Sequence, residues 1–150
     1  MEVVELRYMA MQQALLTLEE GIEEIEIPIP GRPKAYTLMR DGVTQRFEYC
    51  IDSFWKFFKI YFETVKKVSI ESSAPRAILR LTLDSKLITD DECDTLLDCL
   101  SDRNLTSHTY DEGMAETIQR LIPFYHVTMK AIIDRLENDI KATRDISDKI

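Results

Sequence analysis

Apolar residues recur along most of this chain at intervals of three and four, the period of a helix that buries one face. The first run, Val3, Val4, Leu6, Met9, Ala10, Ala14, Leu15 and Leu18, predicts an amphipathic helix over 3–25, with Gly21 fraying its end. The period then fails. Pro28, Pro30, Gly31 and Pro33 fall within 26–40 and predict an irregular connection, in which the alternation of Ile25, Ile27 and Ile29 leaves a short strand open. Asp41 is placed to cap a second helix reaching to Lys67. Its dense stripe of Phe47, Cys50, Ile51, Phe54, Phe57, Phe58, Tyr61 and Val65 marks it as the core helix.

Start signals then divide the rest of the chain. Ser72-Ser73-Ala74-Pro75 reads as a cap followed by proline in the first turn of a short helix carrying Ile78, Leu79, Leu81 and Leu83. Thr89-Asp90-Asp91-Glu92 has the spacing of a capping box and opens a fourth helix, whose period of Cys93, Leu96, Leu97 and Leu100 fades after Asn104. A second box pattern, Thr109-Tyr110-Asp111-Glu112, opens the last helix, which carries Met114 to Ile140 and is kinked at Pro123. Helices joined by short connections predict an all-α, up-and-down antiparallel bundle of about five helices, one domain over 1–150.

Composition agrees with that class: 45% hydrophobic and 31% charged residues, with four glycines and five prolines. The net charge of −8 argues against a protein that coats nucleic acid through a broad basic surface, so any RNA contact is expected to be local. Candidates for a focused patch are Arg103, Arg76, Arg80, Lys56, Lys59, Lys66 and Lys67; DNA is not an expected partner. Cys50, Cys93 and Cys99 form neither a CxxC pair nor an even disulfide set, which points to a reducing cytoplasm. No leader and no span of the ~20 apolar residues that crosses a bilayer is read, so no membrane partner is expected.

Chemistry concentrates in Arg103-Asn104-Leu105-Thr106-Ser107-His108-Thr109-Tyr110. Arginine presents a permanent planar cation suited to phosphate, and histidine exchanges protons near neutrality. Metal-free RNA cleavage needs a base for the ribose 2′-hydroxyl, an acid for the leaving oxygen, and a cation or amide donors facing the charge that develops on phosphorus. His108 and Arg103 fit by type, Asn104 adds a hydrogen bond, and Tyr110 offers a hydroxyl open to modification. On an unbroken helix a spacing of five sets Arg103 and His108 roughly 140° apart, so a break between them is expected. By residue type alone, a helix junction with Arg on carbonyls explains the same residues. Trp55 and its aromatic neighbours could form a base-stacking platform, but a stripe at helical spacing reads as core or dimer interface; His126 reads as a surface or packing residue, and Cys93, Cys99 and His108 match no zinc spacing, so no metal and no cofactor are expected.

Three stretches carry a wider resemblance: Arg40-Asp41-Gly42-Val43-Thr44-Gln45-Arg46-Phe47-Glu48 with Ser53-Phe54-Trp55-Lys56, then Ser73-Ala74-Pro75-Arg76 with Leu87-Ile88, then Asp102 through Tyr110. On these the chain resembles the small HEPN-domain proteins that partner minimal nucleotidyltransferases, the nucleotidyltransferase substrate-binding family. HEPN ribonucleases share an arginine, a polar residue and a histidine four to six positions after the arginine; Arg103, Asn104 and His108 match, and Tyr110 supplies the extended tyrosine. The resemblance implies a homodimer whose arginine–histidine segments share a cleft. It further implies a metal-independent RNase toxin with catalytic Arg103, His108 and Asn104, silenced when a separately encoded transferase moves AMP onto Tyr110. Arg76, Arg80 and Lys56 are the expected substrate-binding residues. Other relatives are substrate- or nucleotide-binding subunits of a two-component transferase that catalyse nothing alone, and that alternative stays open. The chain carries no nucleotidyltransferase motif of its own.

Overall fold

The computed structural model describes the backbone of residues 2–25, 33–108 and 111–148, and the side chains of 3–25, 34–106 and 111–141. Among these residues the chain forms five helices and no strand: α1 (Glu2–Glu24), α2 (Pro33–Thr64), α3 (Pro75–Asp84), α4 (Asp90–His108) and α5 (Glu112–Asp148). The all-α bundle expected from the periodicity is what forms.

Side-chain pairings give its directions. Tyr8 meets Phe57 while Arg46 reaches the Thr17 carbonyl, so α1 and α2 run antiparallel. Arg103 meets Asp52 while Thr106 meets Glu48, so α4 is antiparallel to α2. Asp102 meets Tyr125 while Glu92 meets Arg135, which turns α5 back again. Four long helices thus alternate in direction, and short α3 packs on α2 and α4.

The core follows the aromatic stripe. Phe47, Phe54, Phe57, Phe58 and Phe62 of α2 are fully buried against Val4, Met11 and Leu18 of α1 and Ile122, Met129, Ile132 and Leu136 of α5. Phe47 stacks on Tyr125 with centroids 5.5 Å apart, and Phe57 meets Tyr8, Phe58 and Tyr61. Gly21 does not fray α1: it is buried, and a Cβ there would stand 3.3 Å from Val43 and from Arg46. The missing side chain lets α1 approach α2 closely. Cys50, Cys93 and Cys99 are all buried and free.

Several boundaries differ from expectation. Residues 33–40, read as irregular connection, are the first turns of α2, because Pro33 takes the first helical position, where its missing N–H is no loss. Asp41 is therefore interior to the helix. The strand considered over Ile25, Ile27 and Ile29 falls mostly outside the described residues. The predicted serine cap of α3 is absent: Ala74 is its N-cap, Pro75 follows, and the Ser72 hydroxyl only accepts the Ala74 N–H at 3.3 Å. The Thr89 box forms as predicted, with Thr89 N–H donating to Glu92 at 2.9 Å and Glu92 N–H to the Thr89 hydroxyl at 3.1 Å. At the start of α5 the cap is Asp111, whose carboxylate accepts the Met114 N–H at 2.9 Å. The Thr109 and Tyr110 half of that expected box lies outside the described residues. α5 runs unbroken through Pro123.

Helix α3 ends on Lys86 in the left-handed region, φ 63°, with Leu87 N–H reaching the Thr82 carbonyl and Lys86 N–H the Leu83 carbonyl. This is the Schellman arrangement, in which glycine carries no Cβ penalty. Lys86→Gly is expected to stabilise the fold by about 0.5–1 kcal/mol in urea unfolding; a loss of stability would contradict this account of the turn.

A pH dependence comes from Glu92. Burial pushes its carboxyl up, but bonds from Arg135 and Thr89 outweigh burial and hold it below the usual 4.5. The stabilisation it contributes is therefore complete above about 4.5 and is lost as pH falls through the lower folded value. Compared by urea midpoint, wild type should exceed Glu92→Gln near neutrality and the gap should close in acid; a gap that widens in acid would reverse the sign.

Candidate functional site

Arg103 faces α2 rather than open solvent. Its Nε and Nη2 donate to the two carboxylate oxygens of Asp52 at 3.3 and 3.2 Å, and Nη1 donates to Glu48 at 3.1 Å. Glu48 and Asp52 stand one helical turn apart, so a single guanidinium spans both. The side chain keeps 27% of its exposure. The bond to Asp52 is the main reason its already high pKa rises further. Thr106 Oγ1 sits 3.0 Å from the other Glu48 oxygen and 2.9 Å from the Arg103 carbonyl.

α4 does not end near Arg103; it continues through His108, because Thr106 ties its final turns to α2. The expected break between Arg103 and His108 is therefore not found, and their backbone positions lie roughly 140° apart around one helix. The side chains of His108 and Tyr110 lie outside the described residues.

Beside Arg103 opens a cavity of about 530 Å³ lined by Asp52, Trp55, Ala74, Pro75, Arg76, Leu100, Arg103 and Asn104. Arg76 and Arg103 bring two cations to it, and Asn104, exposed, brings an amide. The Arg76 guanidinium also donates to the Ser101 hydroxyl, which joins the start of α3 to α4. Arg80 is exposed farther along α3 and does not line this cavity. Lys56, exposed, stands 5.7 Å from the centroid of the Trp55 ring and lines a smaller cavity with Arg7, Tyr49 and Asp52.

A second arginine cluster fastens the start of α5. Arg40, only 2% exposed, donates to Glu112 at 2.7 Å, Glu116 at 2.9 Å and Asp41 at 3.3 Å. Hydrogen bonding to Glu112 leads the causes that raise its pKa. Tyr36 adds a bond to Glu116 at 3.0 Å, and burial leads the causes that raise its phenol pKa.

Sequence reasoning missed the carboxylates that hold Arg103, and it set Trp55 aside as core or dimer interface, whereas Trp55 is half-buried and lines the cavity. A signal existed: Glu48 and Asp52 form an acidic pair at helical spacing on the non-aromatic face of α2. An isolated acidic pair, however, reads equally as a solvated surface.

Comparison with known proteins supplies the class. A family model described as "Nucleotidyltransferase substrate binding protein like" matches residues 6–138. A solved Thermus thermophilus protein is 34% identical, covering 84% of this chain and 98% of its own, with a TM-score of 0.70. At 14% identity, two toxin–antitoxin structures share the fold, each with a TM-score of 0.71 over 92% of this chain. One is a mutant MntA–HpeT complex, covered over 99% of its matched chain, and the other a tri-AMPylated Shewanella oneidensis HEPN toxin with its MNT antitoxin, covered over 98%. No curated protein matches significantly. The chain belongs to the nucleotidyltransferase substrate-binding family, and its bundle is the HEPN fold. Among the described residues, no helix is long and apolar enough to cross a membrane.

The half-buried Arg103–Asp52 pair is expected to couple by about 1–2 kcal/mol in a double-mutant cycle of Arg103→Ala and Asp52→Ala, read by urea unfolding. Additivity within error would mean the pair contributes nothing beyond proximity.

Proposed function

We propose that this chain is the HEPN toxin of a two-component pair, a metal-independent endoribonuclease working in the cytoplasm as a homodimer. Its partner is a separately encoded minimal nucleotidyltransferase that silences it by AMP transfer to Tyr110. The observation that supports this most is the placement of Arg103 and Asn104 together on the edge of a cavity, within the stretch that also carries His108 and Tyr110. Of the structures that share the fold, one is named a toxin–antitoxin MntA–HpeT pair and another a tri-AMPylated HEPN toxin with its MNT antitoxin.

In this reading His108 takes the proton of the ribose 2′-hydroxyl as that oxygen bonds to phosphorus. The bond from phosphorus to the 5′-oxygen breaks, and the leaving oxygen receives a proton, leaving a 2′,3′-cyclic phosphate. One imidazole cannot be base and acid at once, so a twofold assembly supplying the second His108 suits the chemistry. Arg103 faces the charge that builds on phosphorus, and Asn104 orients the phosphate. The bidentate grip of Arg103 on Asp52 sets the guanidinium plane before substrate arrives. Silencing is a displacement on the α-phosphorus of ATP: the Tyr110 oxygen bonds to it, pyrophosphate leaves, and the phenolic proton passes to solvent. The AMP phosphate then places negative charge two residues from His108.

A second reading has support of its own. One guanidinium against the carboxylates of Glu48 and Asp52 gives the triad a formal charge of −1, which disfavours a polyanion such as RNA more than a single nucleotide and so suits a subunit that presents a nucleotide to the transferase and cleaves nothing.

Purified protein incubated with total RNA in chelator should cut it, and Arg103→Ala and His108→Ala should each lower the rate by at least about a hundredfold. Intact RNA alongside tight nucleotide binding would select the second reading. With the cognate transferase and ATP, Tyr110→Phe should stay active while wild type is silenced; a silenced Tyr110→Phe would remove the switch from this residue.

A further inference from the structure

Trp55 is the chain's one tryptophan, and it is neither core nor free surface. Half-buried on α2, it packs against the hydrophobic core and also lines the cavity that Arg103 and Asn104 share. Opposite α2, Pro75 and Leu100 supply further apolar wall, while Arg76 and Asn104 supply the polar groups. An indole beside a cation and an amide suits a flat, hydrogen-bonding ring carrying an anion. Small-molecule pockets typically enclose roughly 300–1,000 Å³, and this cavity of about 530 Å³ falls well inside that range.

We propose that this cavity is a nucleobase subsite. It receives the base neighbouring the scissile phosphate of single-stranded RNA, stacked against the Trp55 indole, with Asn104 on the base edge and Arg76 on that nucleotide's own phosphate. The inference deepens the RNA-cleaving reading and rests on it for the identity of the ligand. A base held here adjoins Arg103, so the neighbouring phosphodiester falls at the group assigned to the developing charge.

The subsite also answers a difficulty of composition. A chain of net charge −8 gains little from long-range attraction to RNA, and Asp52 lies in the same cavity, paired with the Arg103 that Glu48 also shares. Stacking on an aromatic face needs no net positive field and tolerates any base sequence. Binding carried by one stack and one or two phosphate contacts has a shallow salt dependence, unlike that of a basic RNA-coating protein.

Because no other tryptophan emits, Trp55 fluorescence reports its own stacking. The probe is a short single-stranded RNA titrated into His108→Ala, which keeps the cavity and blocks cleavage; AMP and inorganic phosphate are the parallel arms. RNA should quench the emission at lower concentration than AMP, and phosphate alone should not quench. Arg76→Ala, at an exposed position, should move the half-quench point up about tenfold. In the cleaving protein, Trp55→Leu should raise KM roughly ten- to a hundredfold with kcat nearly kept, and Trp55→Phe should recover most of the loss. Absence of quenching by RNA overturns the subsite even if the protein cuts RNA. Quenching by AMP as strong as by RNA overturns the assignment to an RNA strand. Quenching by RNA without any cleavage supports the subsite while the RNase reading alone fails.

Discussion

The grip of Glu48 and Asp52 on the Arg103 guanidinium is the contact on which the arrangement of the site depends. A helix crossing made only of leucines and phenylalanines tolerates small slides, because apolar contact has no preferred register. A planar fork bonded to carboxylates on successive turns of α2 does not: a shift of one residue would rotate the acceptors away from it. Thr106 makes the grip continuous by bonding the outer oxygen of Glu48. The apolar face of α2 makes the bundle stable, while its polar face sets where α4 stops sliding.

The same polar face extends farther. Arg40, Thr44, Glu48 and Asp52 follow one another at intervals of four along α2, on one side of the helix. Arg40 binds Glu112 and Glu116 at the start of α5, and Glu48 and Asp52 bind the end of α4. Thr44, Asp41 and Glu48 line a cavity of about 190 Å³ with Thr106, Asp111 and Met114, between these two anchor points. The end of α4 and the start of α5 are thus fastened to the same face of α2. Groups proposed to act together gain precision when the elements that carry them cannot move independently, and this stripe ties the end of α4, which holds His108, to the start of α5.

Much of this is legible in the sequence, and what is missed has physical causes. The phenylalanines of α2 and the Thr89 box announce themselves because periodicity and capping are local, and both form where expected. The opening turns of α2 are hidden by composition: the Pro and Gly of 26–33 read as loop, and the tertiary bonds of Tyr36 and Arg40 that hold those turns come from α5, 80 and 72 residues away. α4 reads too short for a similar reason, since Leu105 is exposed and leaves no apolar beat to extend the period, while Thr106 secures the helix through Glu48. Trp55 shows the limit of the stripe argument. It belongs to the aromatic run by spacing, yet its neighbours Phe54 and Phe57 are fully buried and it is not, a difference only the packing of α3 and α4 decides.

Arg103 held by two carboxylates bears on what kind of ligand the site accepts. A free arginine in a basic groove attracts any polyanion, whereas this one presents a triad whose net charge is negative, so a lone phosphate meets a guanidinium with its donors already engaged. Exchange of one carboxylate contact for a phosphate contact is close to neutral in hydrogen-bond count, and it leaves a desolvated carboxylate behind. The balance favours binding only when something other than charge holds the ligand in place. In the proposed subsite the Trp55 wall supplies that, and a need for both would discriminate nucleotide-bearing ligands from small anions.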